Sequence, residues 1–323
     1  MVSSLYLMPT TECNCECGYC YVGERTRRSC PGLMERVSRS WMGWLRSGDG
    51  RVPRGPQIRF TGGEPWMEPE LVAGISGRFL DGFPGGRVVV NTNGTLVRRG
   101  TVSRFSGDDR FMSVVSLDGP RRVHDARRRL AGGGSAFDRA LEGIGLLREM
   151  SLPVCVNTVL DPETIETLED LLDTVSGLGM DCLSLSLLYE PGRGMSPVER
   201  FGLLRRAYRL ASERGILVGG HHRLLLGHRI EGLECMAGRR TALVDPEGMV
   251  YACQRFVGRM EPDCVWTDLF DWSGFRSGSV CTGVCMTGDD REVGDLLLGM
   301  YREEFPGYLS VNDLDRFLFG VIP

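Results

Sequence analysis

Three cysteines, Cys13, Cys17 and Cys20, stand in the spacing C-x3-C-x2-C within Thr11-Glu12-Cys13-Asn14-Cys15-Glu16-Cys17-Gly18-Tyr19-Cys20-Tyr21. Three thiolates on one short loop can hold three corners of a cubane iron–sulfur cluster. A fourth corner without a protein ligand is then open to a substrate or cofactor, the logic that keeps one position free in catalytic zinc sites. Cys15 lies inside the same loop and leaves the choice of ligands ambiguous. A zinc knuckle is the rival chemistry, but such knuckles pair C-x2-C with a second C-x2-C or with histidines, and neither follows nearby.

Further along stand other groups suited to ligand binding. Thr61-Gly62-Gly63-Glu64-Pro65 combines two glycines, which allow close backbone approach, with a carboxylate that can accept from an ammonium group. Asn91-Thr92-Asn93-Gly94-Thr95 offers polar side chains, and Ser116-Leu117-Asp118-Gly119-Pro120 is followed by His124-Asp125 and Arg127-Arg128-Arg129. A guanidinium is well shaped to grip a carboxylate. Taken alone, each stretch is equally readable as an ordinary turn or, for the arginines, a solvated face.

The elements that position these groups alternate. Strands are expected at Leu5–Met8, Gln57–Phe60, Val88–Asn91, Met112–Leu117, Val154–Leu160 and Cys182–Leu188, short and apolar like parallel strands buried on both faces. Amphipathic stretches at Arg139–Met150, Glu163–Ser176 and Pro197–Glu213 lie between and after them, two opened by a capping side chain and proline. Six β/α units in a row predict an α/β fold, a partial (β/α)6 barrel of the TIM type, with its chemistry at the strand C-termini.

On these motifs the chain resembles the radical S-adenosylmethionine (SAM) family, and within it the SPASM/twitch subgroup that includes anaerobic sulfatase maturases and other peptide-modifying enzymes. The resemblance implies a [4Fe-4S] cluster on Cys13, Cys17 and Cys20 whose open iron binds SAM. It further implies that Tyr19 packs on adenine, Gly62, Gly63 and Glu64 bind the SAM amino group, and Asn93 serves the ribose. Ser116 and Arg128, twelve residues apart, would hold carboxylate and ribose. Tyr189 at the sixth strand end would pack against adenine. Arg121, Arg122, Arg127 and Arg129 are read as solvated, and His124 and Asp125 as structural. The expected core spans 1–218.

Near residue 219 the alternation stops, and 219–323 is expected to be a small α+β domain. Leu243 to Tyr251 reads as a hairpin about Asp245-Pro246-Glu247-Gly248. The pattern C-x12-G-x4-C followed by C-x3-C resembles the twitch type, implying one auxiliary [4Fe-4S] cluster on Cys235, Cys253, Cys281 and Cys285, with Cys264 in reserve. A structural zinc site on the same cysteines stays open. Where sulfatase maturases follow the hairpin cysteine with an aspartate base, this chain has Gln254, and an amide cannot accept that proton.

A length of 323 residues suits two domains or one with an extension, and 42% hydrophobic content supports a sizeable core. The net charge of −4 argues against nucleic-acid or anionic-lipid partners. Every basic residue is arginine, which excludes a catalytic lysine. Twelve cysteines, no secretory signal and no apolar run near the ~18 residues of a membrane span point to a cytoplasmic, metal-binding chain. The function expected is abstraction of hydrogen from a peptide, with ferredoxin or flavodoxin as electron donor. The alternatives are a twitch-type dehydrogenase of a small alcohol or sugar and a non-catalytic zinc scaffold.

Overall fold

The computed structural model describes residues 2–47, 55–188, 195–226, 237–257, 261–275, 288–310, 312 and 314–315. Tyr189, Cys235, Cys281 and Cys285 lie outside the described residues, so their expected roles have no geometry here.

The strands are β1 (Ser4–Leu7), β2 (Cys15–Cys17), β3 (Gln57–Phe60), β4 (Arg87–Thr92), β5 (Phe111–Ser116), β6 (Arg128–Leu130), β7 (Val154–Leu160), β8 (Cys182–Leu187), β9 (Leu217–Gly219), β10 (Thr241–Val244), β11 (Met249–Tyr251) and β12 (Cys264–Val265). The helices are α1 (Leu33–Ser47), α2 (Pro69–Gly82), α3 (Arg99–Val102), α4 (Arg121–Arg127), α5 (Ala136–Glu149), α6 (Leu168–Gly177), α7 (Pro197–Ser212) and α8 (Gly288–Glu303). The sheet order is β12-β11-β10-β1-β3-β4-β5-β7-β8-β9, parallel from β10 through β9. This is the expected partial barrel, open between β9 and β12.

Alternation along each strand divides the molecule into two compartments. Leu5, Leu7, Ile58, Phe60, Val88, Val90, Val115, Val156, Leu183 and Leu185 face the helices and join Trp41, Phe79, Ile144 and Leu172 in the main core. Each such side chain contributes about 1.5–3 kcal/mol on full burial. The alternate positions, among them Arg59, Asn91, Ser116, Asn157 and Ser184, face inward and are mostly polar. A polar inner face is free to bind a ligand because the outer face supplies the apolar burial.

Local chemistry sets the helix ends. Ser196 and Glu199 form a reciprocal capping box ahead of Pro197, and α7 starts there. Helix α5 begins three residues before the expected Arg139, because Ser135 caps it by accepting from Asp138 N at 3.1 Å. The expected helix from Glu163 instead opens with a 3-10 turn, Thr164–Thr167, before α6.

The Leu243–Tyr251 hairpin forms with Val244 opposite Val250. Asp245 Oδ1 accepts from Glu247 N and Met249 N, each at 2.9 Å, and Gly248 takes the positive φ of +84° that the turn requires. The hairpin adds to β1 through β10, so the C-terminal region is hydrogen-bonded into the barrel sheet. His222 is a packed histidine: Tyr208 Oη lies 2.8 Å from its Nε2, and burial lowers it to about 3. No helix among the described residues is long and apolar enough to cross a membrane.

Candidate active site

The cysteine loop leaves β1 at the C-terminal edge of the sheet and is fastened on three sides. Thr11 N donates to Arg27 O at 2.8 Å. Arg25 donates to Cys15 O at 2.9 Å and Cys17 O at 3.1 Å. The loop also carries β2, which pairs antiparallel with β6, placing Cys15 against Leu130 and Cys17 against Arg128. This two-stranded ribbon was not foreseen, because three residues are too few to show a period.

The ribbon separates the four thiols. Cys15 is 1% exposed and packs with Leu130 and Ala136. Its backbone N–H donates to Cys13 Sγ at 3.3 Å. The close approach of the two thiols lowers Cys13 to about 6, and that approach together with burial pushes Cys15 far up. Burial raises Cys17, opposed by Arg128, whose Nη1 is 3.7 Å from its sulfur. Cys13, Cys15, Cys17 and Cys20 all border a shared cavity of about 230 Å³.

The Gly-Gly-Glu-Pro segment has a different local task from the one expected. A Cβ on Gly63 would sit 1.9 Å from Glu12 O, and one on Gly62, at φ +129°, 2.5 Å from Thr10 O. Gly63 N donates to Thr10 O at 3.0 Å and Glu64 N to Glu12 O at 2.8 Å. The glycines therefore let β3's loop press against the cysteine loop, while still lining the cavity. Glu64 does not reach the cavity. It is fully buried, and its carboxylate accepts from Trp66 N at 3.0 Å, Thr92 Oγ1 at 2.7 Å and Asn93 N at 2.7 Å. The expectation that it takes an ammonium group is corrected: it braces the β4 loop. Burial pushes it up to about 7 against those three bonds.

Asn93 does line the cavity, but its amide is already engaged. Its Oδ1 accepts from Thr95 N at 2.9 Å, and its Nδ2 donates to Asn14 Oδ1 at 2.8 Å and lies 3.7 Å from Cys13 Sγ. These bonds tie its amide to the cysteine loop.

Asp118, singled out only as part of a motif, is the hub. It is fully buried; Oδ2 accepts from Arg128 Nε at 2.8 Å and from Tyr19 Oη, and Oδ1 accepts from Val159 N at 2.9 Å. His124 Nδ1 accepts from Asp118 N at 3.2 Å, and Asp125 accepts from Phe137 N at 2.9 Å, the structural tasks expected of that pair. Despite desolvation, the Arg128 charge and these bonds hold Asp118 below the usual carboxylate range. Tyr19 carries the Arg127 and Arg128 guanidiniums at 4.8 and 5.2 Å from its ring centroid. Arg127 is not solvated as expected: it is 10% exposed and pairs with Asp161 at 2.7 Å and Glu163 at 2.9 Å. Arg121 and Arg129 do form exposed pairs, with Asp138 and Glu16.

Ser116, Arg128, Tyr19, Asn157, Ser184 and Ser186 also line the cavity. Gln254, just past the hairpin, enters from the C-terminal region and accepts from Thr61 Oγ1 at 3.0 Å. Among the described residues no three His, Cys, Asp or Glu side chains converge as ligands of a single ion. Thiols spread around one cavity suit a group that takes its ligands at separate corners. Cys253 is half-buried, and Cys264 stands opposite Val250 on β12. Cys30 is exposed.

Compared with known proteins, the chain matches the Radical SAM superfamily over residues 7–175. It is 30% identical over 142 residues to the AdoMet-dependent heme synthase of Nitratidesulfovibrio vulgaris, covering 43% of this chain and 36% of that protein. Identity to mycofactocin maturase MftC of Mycobacterium tuberculosis is 26% over 267 residues, covering 76% and 62% respectively. The match thus spans less than two thirds of the length of these curated relatives. Among solved structures, anSMEcpe with bound AdoMet and Cp18Cys peptide aligns with a TM-score of 0.68 at 17% identity, over 95% of this chain and 97% of that one. Streptococcus suis SuiB bound to S-adenosylmethionine aligns with a TM-score of 0.67 at 16% identity, over 97% and 77%. At these identities the likeness is one of fold.

Proposed function

The chain belongs to the radical SAM superfamily, and on that premise we propose that it uses SAM at the cavity between the cysteine loop and β5–β8 to abstract hydrogen from a peptide. Members of this superfamily bind a [4Fe-4S] cluster and SAM; together these supply one-electron cleavage of the sulfonium and a 5′-deoxyadenosyl radical. Cys13, Cys17 and Cys20 would hold the cluster. The observation that carries this assignment is the placement of the loop: Cys13, Cys17 and Cys20 line the cavity wall, while Cys15, which also borders it, is 1% exposed and packed with Leu130 and Ala136.

The remaining residues bind and orient. Arg128, locked by Asp118 and set beside Cys17, offers its guanidinium to a carboxylate on the cavity side. Ser116 and the Asn157–Ser184–Ser186 group offer hydroxyl and amide contacts for the SAM carboxylate and ribose. Gly62 and Gly63 offer backbone at close range. Tyr19 holds the two arginines against the loop and lines the cavity, where it would pack on adenine. An auxiliary [4Fe-4S] cluster on Cys235, Cys253, Cys281 and Cys285 is proposed from their spacing.

A peptide substrate is favoured by the match to a maturase over three quarters of this chain and by the Ser116-to-Arg128 and hairpin motifs. Anaerobic incubation with SAM, dithionite and either a short precursor peptide or a polyol tests the reading. The expected result is 5′-deoxyadenosine with a mass change on the peptide. Loss of two hydrogens from the polyol with an inert peptide would transfer the activity to small-molecule dehydrogenation. Colourless protein carrying stoichiometric zinc would end the enzyme reading; roughly eight irons per chain are expected for two cubanes.

A further inference from the structure

Two cysteines remote from the cysteine loop face each other at the base of the cavity. Cys155 on β7 and Cys182 on β8 lie one step before the register pair Val156 and Leu183, which makes them neighbours across parallel strands. Since Val156 and Leu183 pack with the helices, both thiols point inward. Adjacent strands run about 4.8 Å apart, within the Cα separation of about 4.4–6.8 Å that a disulfide spans. The Cys182 thiol donates to Val154 O at 3.8 Å, so its sulfur leans across onto β7. The Cys155 thiol donates to Val156 O at 3.5 Å, so among the described residues neither thiol is held by a side-chain partner outside the pair. Cys155 is fully buried with Val89, Met112, Val114 and Leu314, and Cys182 is half-buried at the edge of that cluster.

The pair is tied to the cavity through its neighbours. Val114 is the register partner of Cys155 and lines the cavity. Asn157 and Ser184, two residues further along the same strands, hydrogen-bond at 2.9 Å in the cavity wall.

We propose that Cys155 and Cys182 are a redox-sensitive dithiol that oxidises to an intramolecular disulfide, a modification site beneath the cavity. Cytosolic disulfides of this kind are transient and redox-sensing. With an azo oxidant such as diamide, the more accessible Cys182 sulfur adds to one nitrogen of the N=N bond. The Cys155 sulfur then displaces that nitrogen and forms the S–S bond. Both thiol protons and two electrons end on the oxidant, which becomes the hydrazine. A thiol reductant reverses the step. The proposal is independent of the function proposed above, since it concerns neither the loop cysteines nor SAM.

The sequence makes the test direct. From Glu149 to Arg193 there is no basic residue before the last, and the only cysteines are these two, so trypsin delivers both on one fragment. The anaerobic full-length chain is treated with diamide, blocked with iodoacetamide and digested. The expected fragment is unalkylated and two hydrogens lighter than its reduced form, stays joined after cleavage at Glu163, Glu166 or Glu169, and reverts with dithiothreitol. Cys182→Ser abolishes the mass loss and Cys30→Ala leaves it. A doubly alkylated fragment after oxidation overturns the proposal, as does Cys182 carrying only oxygen, or either cysteine bridged to one outside the fragment.

Discussion

Replacing Asp118 by asparagine removes one charge and little volume from the most connected buried group at the site. Asparagine Oδ1 can still accept from Val159 N, now 2.9 Å from the carboxylate. Arg128 loses its ion pair at 2.8 Å, with side-chain exposures of 10% and 0% for the two partners. Breaking a buried pair by removing one member is destabilising by about 3–5 kcal/mol, because the other charge is left uncompensated. Arg127 adds little to this, since Asp161 and Glu163 still hold it. For a chain of this size the loss corresponds to a fall in melting temperature on the order of 10 °C. Thermal unfolding by circular dichroism at pH 7, run anaerobically, measures it. Adding Arg128→Gln should recover at least about 1 kcal/mol of the single-variant loss, since it removes the stranded charge. The pair's pH dependence has a definite sign. The folded pKa of Asp118 is lowered from 3.8, so its stabilisation is complete above that value and is lost as pH falls through the lower, folded one. The Asn variant should lack this acid limb. A single variant within about 0.5 kcal/mol of the parent, or strict additivity in the double variant, would refute the placement of Asp118 as hub.

Glu64 should behave with the opposite sign. Its folded pKa near 7 lies above the ordinary 4.5, so its stabilisation is present below 4.5 and is lost as pH rises through 7. Glu64→Gln should therefore flatten the fall in stability from pH 5 to 8 by about 3 kcal/mol in denaturant titrations, and equal slopes would contradict its burial as an ionisable group. Gly63→Ala must displace Glu12 O, which is backbone 1.9 Å from the new Cβ; iron content after anaerobic reconstitution should drop well below that of the parent, and unchanged iron and melting temperature would show that the loop yields freely. Cys17→Ala should abolish 5′-deoxyadenosine formation, whereas Cys15→Ala should retain the iron of the loop site. Iron loss confined to the Cys15 variant would reverse the ligand assignment.

Periodicity and motif spacing carried much of this protein without a structure. Gln57–Phe60 and Val154–Leu160 were legible end to end, because a strand buried on one face by helices must be apolar at every second position and these stretches are bounded by turn residues. The cysteine spacing and the Ser116-to-Arg128 interval were equally legible, since chemistry on a single loop or strand end is local in sequence. What the chain alone left open was decided by contacts between distant segments. Cys15 became a buried thiol because β6, more than a hundred residues on, pairs with its strand. Glu64 became a brace because Thr92 and Asn93 arrive to claim its oxygens. Asp118 became a hub because Tyr19, Arg128 and Val159 converge on it. Residue type reports what a side chain is able to do; which partner it meets is set by loop closure and register, and those belong to the folded chain.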